Sequence, residues 1–268
     1  MTEGPLGGAG PDAGRALDEA FRAAVEVPEL LVASDFDGVL APIVADPAAV
    51  SANRISMAAL HRLAAVPGTT VAVVSGRDYD TLARFVGPRG ALELIGSHGA
   101  QPAPGPTVLT PVERATLAAT TSELAALAQR HAGFHVEEKP LSVAAHLRRV
   151  IDDRDGAAAA VAELVKRWPG KVVAGKEVVE FTVRHTTKGE AVRALADRIG
   201  ADAVVYLGDD VTDEDVFVML EPRDVGIKVG DGPTAARHRV AGPDEVTEVL
   251  ATMATHRELA FGDARPGS

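Results

Sequence analysis

The chain has 268 residues, of which 46% are hydrophobic and 24% are charged, and its formal net charge is −11. This negative charge argues against nucleic acid and anionic membranes as partners, because both would repel the protein. The chain has no cysteine, which excludes disulfides and thiolate chemistry, and no apolar run is long enough to span a bilayer.

The chain begins with a segment rich in glycine and proline. Residues 1–14 lack the basic and apolar regions of a signal peptide, so we expect a flexible tail and a cytoplasmic protein. An amphipathic helix is predicted over residues 15–27, where Leu17, Phe21 and Val25 recur at a spacing typical of one helix face.

An apolar run over residues 30–34 ends in two aspartates, Asp35 and Asp37. Such a run predicts a strand buried on both faces, and ligand sites in doubly wound sheets lie at the carboxyl ends of these strands. A carboxylate there can act as a nucleophile, and a second one nearby can transfer protons. Two close carboxylates repel each other, which favours a divalent cation beside them. An Asp-Gly hairpin turn is the alternative explanation.

The elements that follow repeat this design. A helix, a buried strand, a short helix and a third strand are predicted over residues 55–66, 69–74, 78–86 and 91–95. Ser75 directly follows the second strand, and a Gly-Ser-His-Gly turn follows the third. This alternation of strands and helices indicates a parallel sheet.

A segment rich in proline and glycine then interrupts the alternation and predicts a domain boundary near residue 102. Beyond it the sequence predicts helices over residues 112–131 and 154–168, and strands over residues 134–138, 142–148, 171–174 and 178–183. This order is typical of a small antiparallel sheet with helices on one face. Alternation along the strands predicts that the polar side chains of His146, Arg148, Glu180 and Thr182 lie on the open face. A merely solvated face remains the alternative.

The alternating pattern returns at Thr187. Thr187 and Glu190 fit a capping box, which places Lys188 in the first turn of a helix. A lysine beside a helix N-terminus is electrostatically unfavourable unless it binds an anion, although a solvent-exposed lysine is the commoner case.

A further buried strand is predicted over residues 203–207, and the loop after it carries five acidic residues within seven positions. Thr212, followed by Asp215, predicts a helix start that accounts for part of this charge, but Asp209 and Asp210 remain at the strand's end. Residues 225–229 are predicted as a strand, residues 244–259 as a closing helix and residues 262–268 as a flexible tail.

Four predicted loops thus carry polar residues that could form a site. In chain order they are Asp35 with Asp37, then Ser75, then Lys188, and then Asp209 with Asp210. This set resembles the haloacid dehalogenase superfamily of phosphatases. More specific motifs occur at residues 35–43, 74–77, 96–99, 138–142, 175–176 with Glu180, and 208–215. They resemble the trehalose-6-phosphate phosphatase family over about residues 30–240. Val39 departs from the threonine usual in that family, so its loop lacks one hydroxyl.

The resemblance implies an α/β fold with a doubly wound, Rossmann-like parallel-sheet core and an inserted α/β cap domain. The core would comprise residues 15–101 and 184–261, and the cap residues 102–183. A cap of this kind would close over the sugar and exclude water.

The resemblance also implies roles for the acidic residues. Asp35 would attack the phosphorus, and Asp37 would protonate the leaving sugar oxygen and then activate water. Mg²⁺ would be held by the carboxylates of Asp35 and Asp209 and by the backbone carbonyl of Asp37. Asp210 and Asp213 would orient the waters bound to the metal.

Other residues would bind the substrate. Ser75 and Lys188 would hold the transferring phosphoryl group, which needs fixed donors and cations. The remaining substrate-binding residues implied by the resemblance are Gly76, Arg77, His98, Lys139, Arg148, Lys176 and Glu180.

The implied function is Mg²⁺-dependent hydrolysis of trehalose 6-phosphate to trehalose and phosphate through an aspartyl-phosphate. Another sugar phosphate, such as sucrose 6-phosphate or glucosylglycerol phosphate, is an alternative substrate, because the fold and core motifs do not set specificity. A sugar-phosphate-binding regulator without turnover is an alternative of a different class. The sequence indicates no oligomeric state.

Overall fold

The structure, a computed structural model, describes residues 11–44, 49–87, 91–102, 108–175 and 177–262. These described residues divide into two compact units. The first contains the residues up to Pro102 and from Thr187 onward, and the second contains the residues between them. None of the described helices is both long and apolar enough to cross a membrane.

The helices are α1 (Pro11–Val25), α2 (Arg54–Ala64), α3 (Tyr79–Val86), α4 (Pro111–Arg130), α5 (Arg154–Arg167), α6 (Lys188–Ile199), α7 (Glu214–Phe217) and α8 (Pro243–Phe261). The strands are β1 (Leu30–Asp35), β2 (Thr69–Val74), β3 (Leu92–Ile95), β4 (His135–Glu138), β5 (Ser142–His146), β6 (Lys171–Gly175), β7 (Val178–Thr182), β8 (Ala203–Gly208), β9 (Val225–Val229) and β10 (His238–Val240).

The first unit is built on a parallel sheet. Within the described residues this sheet has six strands in the order β10-β9-β8-β1-β2-β3. Renumbered along the chain, this is the doubly wound order 3-2-1-4-5-6 read from β3. The strand order reverses between β1 and β8, and a crevice opens there at the carboxyl edge of the sheet. Ligands of doubly wound folds bind in this crevice, so a ligand site is expected at the loops after β1 and β8.

Side chains of β1 alternate between two apolar layers. Leu30 and Val32 belong to the layer that contains Leu60 of α2 and Leu250 of α8. Leu31 and Ala33 belong to the opposite layer, which contains residues of α6 and α7. Because helices cover both faces of the sheet, nearly every position of the central strands is apolar.

The amino edge of the same sheet is held by Arg257 of α8, which has no solvent exposure. Its guanidinium group donates hydrogen bonds to the carbonyls of Val25, Val27, Pro28 and Gly68 and to Thr69 Oγ1. These acceptors lie just before β1 and at the start of β2, so one side chain ties both strand entrances to the closing helix.

The second unit is built on an antiparallel sheet. Within the described residues it has four strands in the order β4-β5-β7-β6. Val143 and Phe181 project from one face into an apolar cluster with Leu124 of α4 and Leu164 of α5. The two helices therefore lie on one face of this sheet.

Most predicted elements agree with the structure within a few residues, and four details differ. Helix α1 begins at Pro11, so residues 11–14 are helical and were wrongly assigned to a tail. Strand β5 ends at His146, two residues before the predicted end at Arg148. Helix α7 begins after an N-cap at Asp213, not at Thr212. Strand β10 was not predicted, because its three residues are too few to show a pattern.

Candidate active site

Asp35 is the last residue of β1 and is 5% exposed. Its Oδ1 atom accepts a hydrogen bond of 2.7 Å from the backbone N–H of Phe36. Gly38, in the turn that follows, has a φ of 79°, in the left-handed region that favours glycine. A Cβ atom at Gly38 would overlap the carboxylate of Asp209. The loops after β1 and β8 therefore touch, and glycine is the residue that permits this contact.

Lys188 is the first residue of α6 and is 2% exposed. Its Nζ atom lies 2.9 Å from Asp35 Oδ2 and 2.8 Å from Asp213 Oδ1. Burial alone would lower the pKa of Lys188, but the carboxylates of Asp213 and Asp35 outweigh it and raise the pKa above its usual value. Lys188 is therefore a buried ammonium group. The capping box between Thr187 and Glu190, which starts this helix, is confirmed.

Asp213 is fully buried, and both of its carboxylate oxygens are occupied. Oδ1 accepts hydrogen bonds from Lys188 Nζ and from the Tyr206 hydroxyl, at 2.8 and 2.6 Å. Oδ2 accepts from the backbone N–H groups of Asp209 and Asp210, both at 2.9 Å. Burial would raise the pKa of Asp213, but Lys188 and these donors lower it. Asp213 is therefore an ionised carboxylate, and it fixes the backbone of the loop after β8.

Asp35, Asp209 and Asp213 each place one carboxylate oxygen within 4.8 Å of the others. Burial, followed by the charge of Asp213, raises the pKa of Asp209 to about 7. Burial also raises the pKa of Asp35, and Lys188 offsets this only in part. Crowded carboxylates with raised pKa values are what a bound divalent cation would relieve. Each oxygen of Asp213 already accepts two hydrogen bonds, whereas each oxygen of Asp35 has a single partner among the described residues, so Asp35 and Asp209 are the members of this trio with room to hold such a cation. An all-oxygen donor set fits a hard ion such as Mg²⁺.

Asp37 lies two residues beyond β1, and its side chain is 37% exposed. Both of its carboxylate oxygens accept hydrogen bonds of 2.7 Å from the guanidinium group of Arg77. Arg77 also lies over the rings of Phe36 and Phe85, at 5.6 and 4.8 Å from their centroids. The two rings and the bidentate pair fix Asp37 at the rim of the carboxyl edge, within reach of solvent.

The loops after β2 and β3 meet beside Asp37. Ser75 is fully buried, and its Oγ atom accepts a hydrogen bond of 3.1 Å from the backbone N–H of Arg77. The backbone N–H of His98 donates to the carbonyl of Ser75 at 2.9 Å. A Cβ atom at Gly76 would overlap the imidazole ring of His98. The structure thus brings the predicted residues Ser75, Gly76, Arg77 and His98 to one edge with the aspartates.

Two of the predicted sugar-binding residues of the second unit, Lys139 and Glu180, form a cluster with Ser142. Glu180 accepts hydrogen bonds from Lys139 Nζ at 2.8 Å and from Ser142 Oγ at 2.5 Å. Glu180 is only 7% exposed and Thr182 only 9%, so the prediction that both lie on an exposed face was wrong. Residue alternation predicts which face of a sheet a side chain occupies, but not whether neighbouring groups cover it.

The other two residues predicted in this unit are not part of the Glu180 cluster as described. Arg148 lies beyond the end of β5, its side chain is 60% exposed, and its Nε atom is 3.5 Å from a carboxylate oxygen of Glu177. Glu177 also pairs with Arg154 at 2.7 Å. Lys176 lies outside the described residues.

Among the described residues, Tyr206 and Lys228 are polar residues of the site that the sequence did not indicate. Tyr206 is fully buried in β8, and burial, followed by the charge of Asp213, raises the pKa of its hydroxyl. Lys228 is 4% exposed, and its Nζ atom donates to the carbonyl of Asp209 at 2.5 Å. A lysine in an otherwise apolar strand was the available signal, because lysine is seldom buried unless it is paired.

A family model described as "Trehalose-phosphatase" matches residues 33–249. The chain belongs to the trehalose-phosphatase family. A curated relative, the trehalose-phosphate phosphatase of Mycobacterium marinum, is 36% identical in an alignment 262 residues long that covers 91% of this chain and 66% of the relative. The chain thus spans slightly less than two thirds of that relative's length.

Solved structures share the fold of this family member. The C. albicans trehalose-6-phosphate phosphatase C-terminal domain superposes with a TM-score of 0.75 at 24% identity, covering 89% of this chain and 97% of that domain. The C-terminal domain of a Candida albicans trehalose synthase regulatory protein superposes with a TM-score of 0.65 at 14% identity, covering 87% of this chain and 97% of that domain. The predicted fold class, a doubly wound α/β core with a separate α/β unit, is confirmed.

Proposed function

We propose that this chain hydrolyses trehalose 6-phosphate to trehalose and phosphate, with Mg²⁺ as its cofactor and Asp35 as its nucleophile. The observation that carries the proposal is the buried Asp35–Lys188 pair, 2.9 Å apart, at the carboxyl end of β1. Membership of the trehalose-phosphatase family supports the choice of substrate.

Asp35 is suited to attack phosphorus because its carboxylate is fixed at both oxygens. The Phe36 N–H holds Oδ1, and Lys188 holds Oδ2 and favours the ionised form. Asp35 and Asp209 would hold Mg²⁺, which when bound supplies positive charge for the phosphoryl oxygens. In the first step a bond forms between an Asp35 oxygen and phosphorus while the bond from phosphorus to the sugar oxygen breaks.

Asp37 is assigned the proton transfers. Its partial exposure gives it access to both the leaving sugar oxygen and water, and Arg77 fixes its position. Asp37, in its protonated form and with one oxygen released from Arg77, first gives its proton to the sugar oxygen as trehalose leaves. It then takes a proton from the water that attacks phosphorus, so that phosphate is released and the Asp35 carboxylate is restored.

Ser75 and Lys188 are assigned to the transferring phosphoryl group. Both are buried, so their donor groups are held in place before the substrate binds. Phosphoryl transfer gains most from donors and cations fixed in this way, because its charge is spread over several oxygens. In this scheme Asp210 and Asp213 support the metal-binding loop, and Gly76, Arg77 and His98 shape the edge that receives the phosphate.

The second unit is proposed to act as the cap and to recognise the sugar. Lys139 and Glu180 are the strongest candidates, because a partly buried ammonium–carboxylate pair offers both donors and acceptors for sugar hydroxyls. Arg148 and Lys176 are retained as sugar-binding residues on the family resemblance alone. A different sugar phosphate would require other contacts in this unit, since the core chemistry does not depend on the sugar.

A regulator without turnover is the alternative, because one protein of the same fold is named as a regulatory protein. The nucleophile, the buried ammonium and the oxygen donors in one cluster favour the enzyme. The test is phosphate release from a panel of sugar phosphates, with Mg²⁺ and with EDTA. We expect Mg²⁺-dependent release that is fastest with trehalose 6-phosphate. No release from any substrate would contradict the proposal, and faster release from another sugar phosphate would change the substrate.

A further inference from the structure

Lys228 is a buried charged residue of the core sheet whose position the proposed reaction does not explain. It lies in β9 among valine, glycine and isoleucine, and it pairs in register with Gly208, the last residue of β8. Burial of an ammonium group costs free energy unless strong partners offset it. An apolar side chain would complete the strand at lower cost, so the partners of Lys228 should reveal its role.

Lys228 reaches two partners that belong to different segments. Its Nζ atom donates to the carbonyl of Asp209 at 2.5 Å and lies 3.7 Å from Glu214 Oε1, at the start of α7. The other oxygen of Glu214 accepts a hydrogen bond of 2.8 Å from the backbone N–H of Ala235, in the loop after β9. Lys228 thus links the acidic loop after β8 to α7, and through Glu214 to the next loop of the same edge.

The peptide groups of Asp209 are consequently held on both sides by buried charged groups. The backbone N–H of Asp209 donates to Asp213 Oδ2 at 2.9 Å, and its carbonyl accepts from Lys228. The carboxylate lies against Gly38, where even a Cβ atom would overlap it. With the backbone fixed at both ends and the side chain confined by Gly38, the direction of the Asp209 carboxylate is set before any ligand binds.

We propose that Lys228 is a positioning residue of the metal-binding loop: it fixes the backbone of Asp209 so that the carboxylate faces Asp35, and thereby sets the affinity for the divalent cation without contacting it. This inference rests on the proposed Mg²⁺-dependent function. Residues that orient metal ligands in this way contribute about 10- to 100-fold to metal affinity in other metal sites.

The test compares divalent-cation binding by the wild type and by Lys228→Met, which has a similar length but no charge. Calorimetric titration of the metal-free proteins with Mg²⁺ should show about 10- to 100-fold weaker binding for Lys228→Met. The Mg²⁺ concentration for half-maximal phosphate release should rise by a similar factor, while KM for the sugar phosphate at saturating Mg²⁺ stays unchanged. Lys228→Arg, which keeps a charged donor, should recover part of the affinity.

Arg239→Met is the control for loss of a carbonyl-binding cation from the same pair of strands, although Arg239 is exposed and Lys228 is buried. Arg239 lies directly opposite Lys228 in the β9–β10 pair, and its guanidinium group also donates to backbone carbonyls, those of Gly230 and Gly232. It does not contact the loop after β8 among the described residues. We expect Arg239→Met to bind Mg²⁺ within about twofold of the wild type, as mutations away from the ligand shell do.

Tight Mg²⁺ binding by Lys228→Met, or an equal loss in Arg239→Met, would overturn the inference. If Lys228→Met does not fold, Lys228→Gln provides the same comparison, because its shorter side chain does not reach the Asp209 carbonyl and weaker binding is again expected. A wild type that binds no divalent cation would refute the Mg²⁺ part of the proposed function as well. Equal Mg²⁺ affinities of the wild type and Lys228→Met would refute the role of Lys228 and leave the proposed function intact.

Discussion

The two edges of the parallel sheet each bury a cation, and the two cations differ in their partners. At the carboxyl edge, Lys188 is held by the carboxylates of Asp35 and Asp213. At the amino edge, the hydrogen-bond partners of Arg257 among the described residues are four backbone carbonyls and one threonine hydroxyl. Both side chains are almost completely removed from solvent.

The difference shows that burial of a charge does not by itself mark a functional site. Backbone carbonyls are neither nucleophiles nor proton donors or acceptors in catalysis. A guanidinium group that bridges several of them therefore has a structural role: it holds the loops together. Asp35, one of the two carboxylates that hold Lys188, is of a chemical type that can attack, bind a cation or accept a proton. The nature of the partner therefore distinguishes the proposed catalytic cluster from a structural one, and each edge can be tested for the role assigned to it.

The largest effect is expected for Asp35→Asn at the carboxyl edge. The amide keeps the size of the side chain but is not a nucleophile, so phosphate release should fall at least about a thousandfold, or ~4 kcal/mol of barrier. Stability in urea should be unchanged or higher, because burial raises the pKa of Asp35 and the ionised carboxylate therefore costs free energy. Activity within about tenfold of the wild type would show that Asp35 is not the nucleophile.

The reverse result is expected for Arg257→Ala at the amino edge. Several buried carbonyls lose their donor, so the free energy of unfolding should fall by about 3–5 kcal/mol in a urea titration. The kcat/KM of the protein that remains folded should be unchanged, because Arg257 lies at the edge opposite the aspartates.

Arg62→Ala is the control for that variant. Arg62 joins α2 to α8 through an exposed pair with Glu258, 2.6 Å apart. Exposed pairs contribute at most about 1 kcal/mol, so this variant should be nearly as stable as the wild type. An Arg257→Ala variant no less stable than Arg62→Ala would remove the distinction between a structural cation and a surface one.

A smaller effect is expected for Glu180→Ala, which extends the comparison to the second unit. Glu180 is a buried anion held by side chains, Lys139 and Ser142, so by the same reasoning it should serve binding. We expect kcat/KM for trehalose 6-phosphate to fall roughly ten- to a hundredfold, equivalent to a charged hydrogen bond of about 1.5–3 kcal/mol. The small substrate p-nitrophenyl phosphate should be hydrolysed almost as fast as by the wild type.

Glu123→Ala supplies the control in this unit. Glu123 pairs with Arg167 between α4 and α5, and both side chains are exposed. It should hydrolyse both substrates at the wild-type rate. If Glu180→Ala instead slowed both substrates equally, the buried Lys139–Glu180 pair would be structural, like Arg257.

The smallest effect concerns pH at the carboxyl edge. The pKa of Asp209 is raised from 3.8 to about 7 in the metal-free protein. Its protonated form therefore stabilises the metal-free fold at low pH, and this contribution is lost as the pH rises through about 7. Mg²⁺ must displace that proton below about pH 7, which should weaken binding about tenfold per pH unit.

Thermal unfolding with and without Mg²⁺ at pH 6 and pH 8 measures this linkage. The increase in Tm on adding Mg²⁺ should be larger at pH 8 than at pH 6. Asp209→Asn removes one titrating ligand and leaves Asp35, so its increase should be smaller and should depend less on pH. A wild-type increase that is larger at pH 6 would contradict the assignment of Asp209 as a metal ligand.

The sequence by itself determined the elements and the edge at which chemistry could occur. Strands β2 and β9 occupy the residues predicted for them, because runs of valine, isoleucine and alanine pack between helices in one register. The polar residue after each run could be placed at the carboxyl edge, since all strands of a parallel sheet end on the same side. Asp35, Ser75 and Asp209 were found in this way, and Lys188 was found from the capping box that starts its helix.

Only the tertiary structure decided the partner of each charged group. Periodicity along the chain predicts which face a side chain occupies, but a buried charge is stabilised by groups that are distant in sequence. Arg257 lies 232 positions from Val25, whose carbonyl it binds, and no local pattern connects them. For the same reason the sequence placed Glu180 on an exposed face, and it did not reveal Lys228 beneath the acidic loop or the saturation of both oxygens of Asp213.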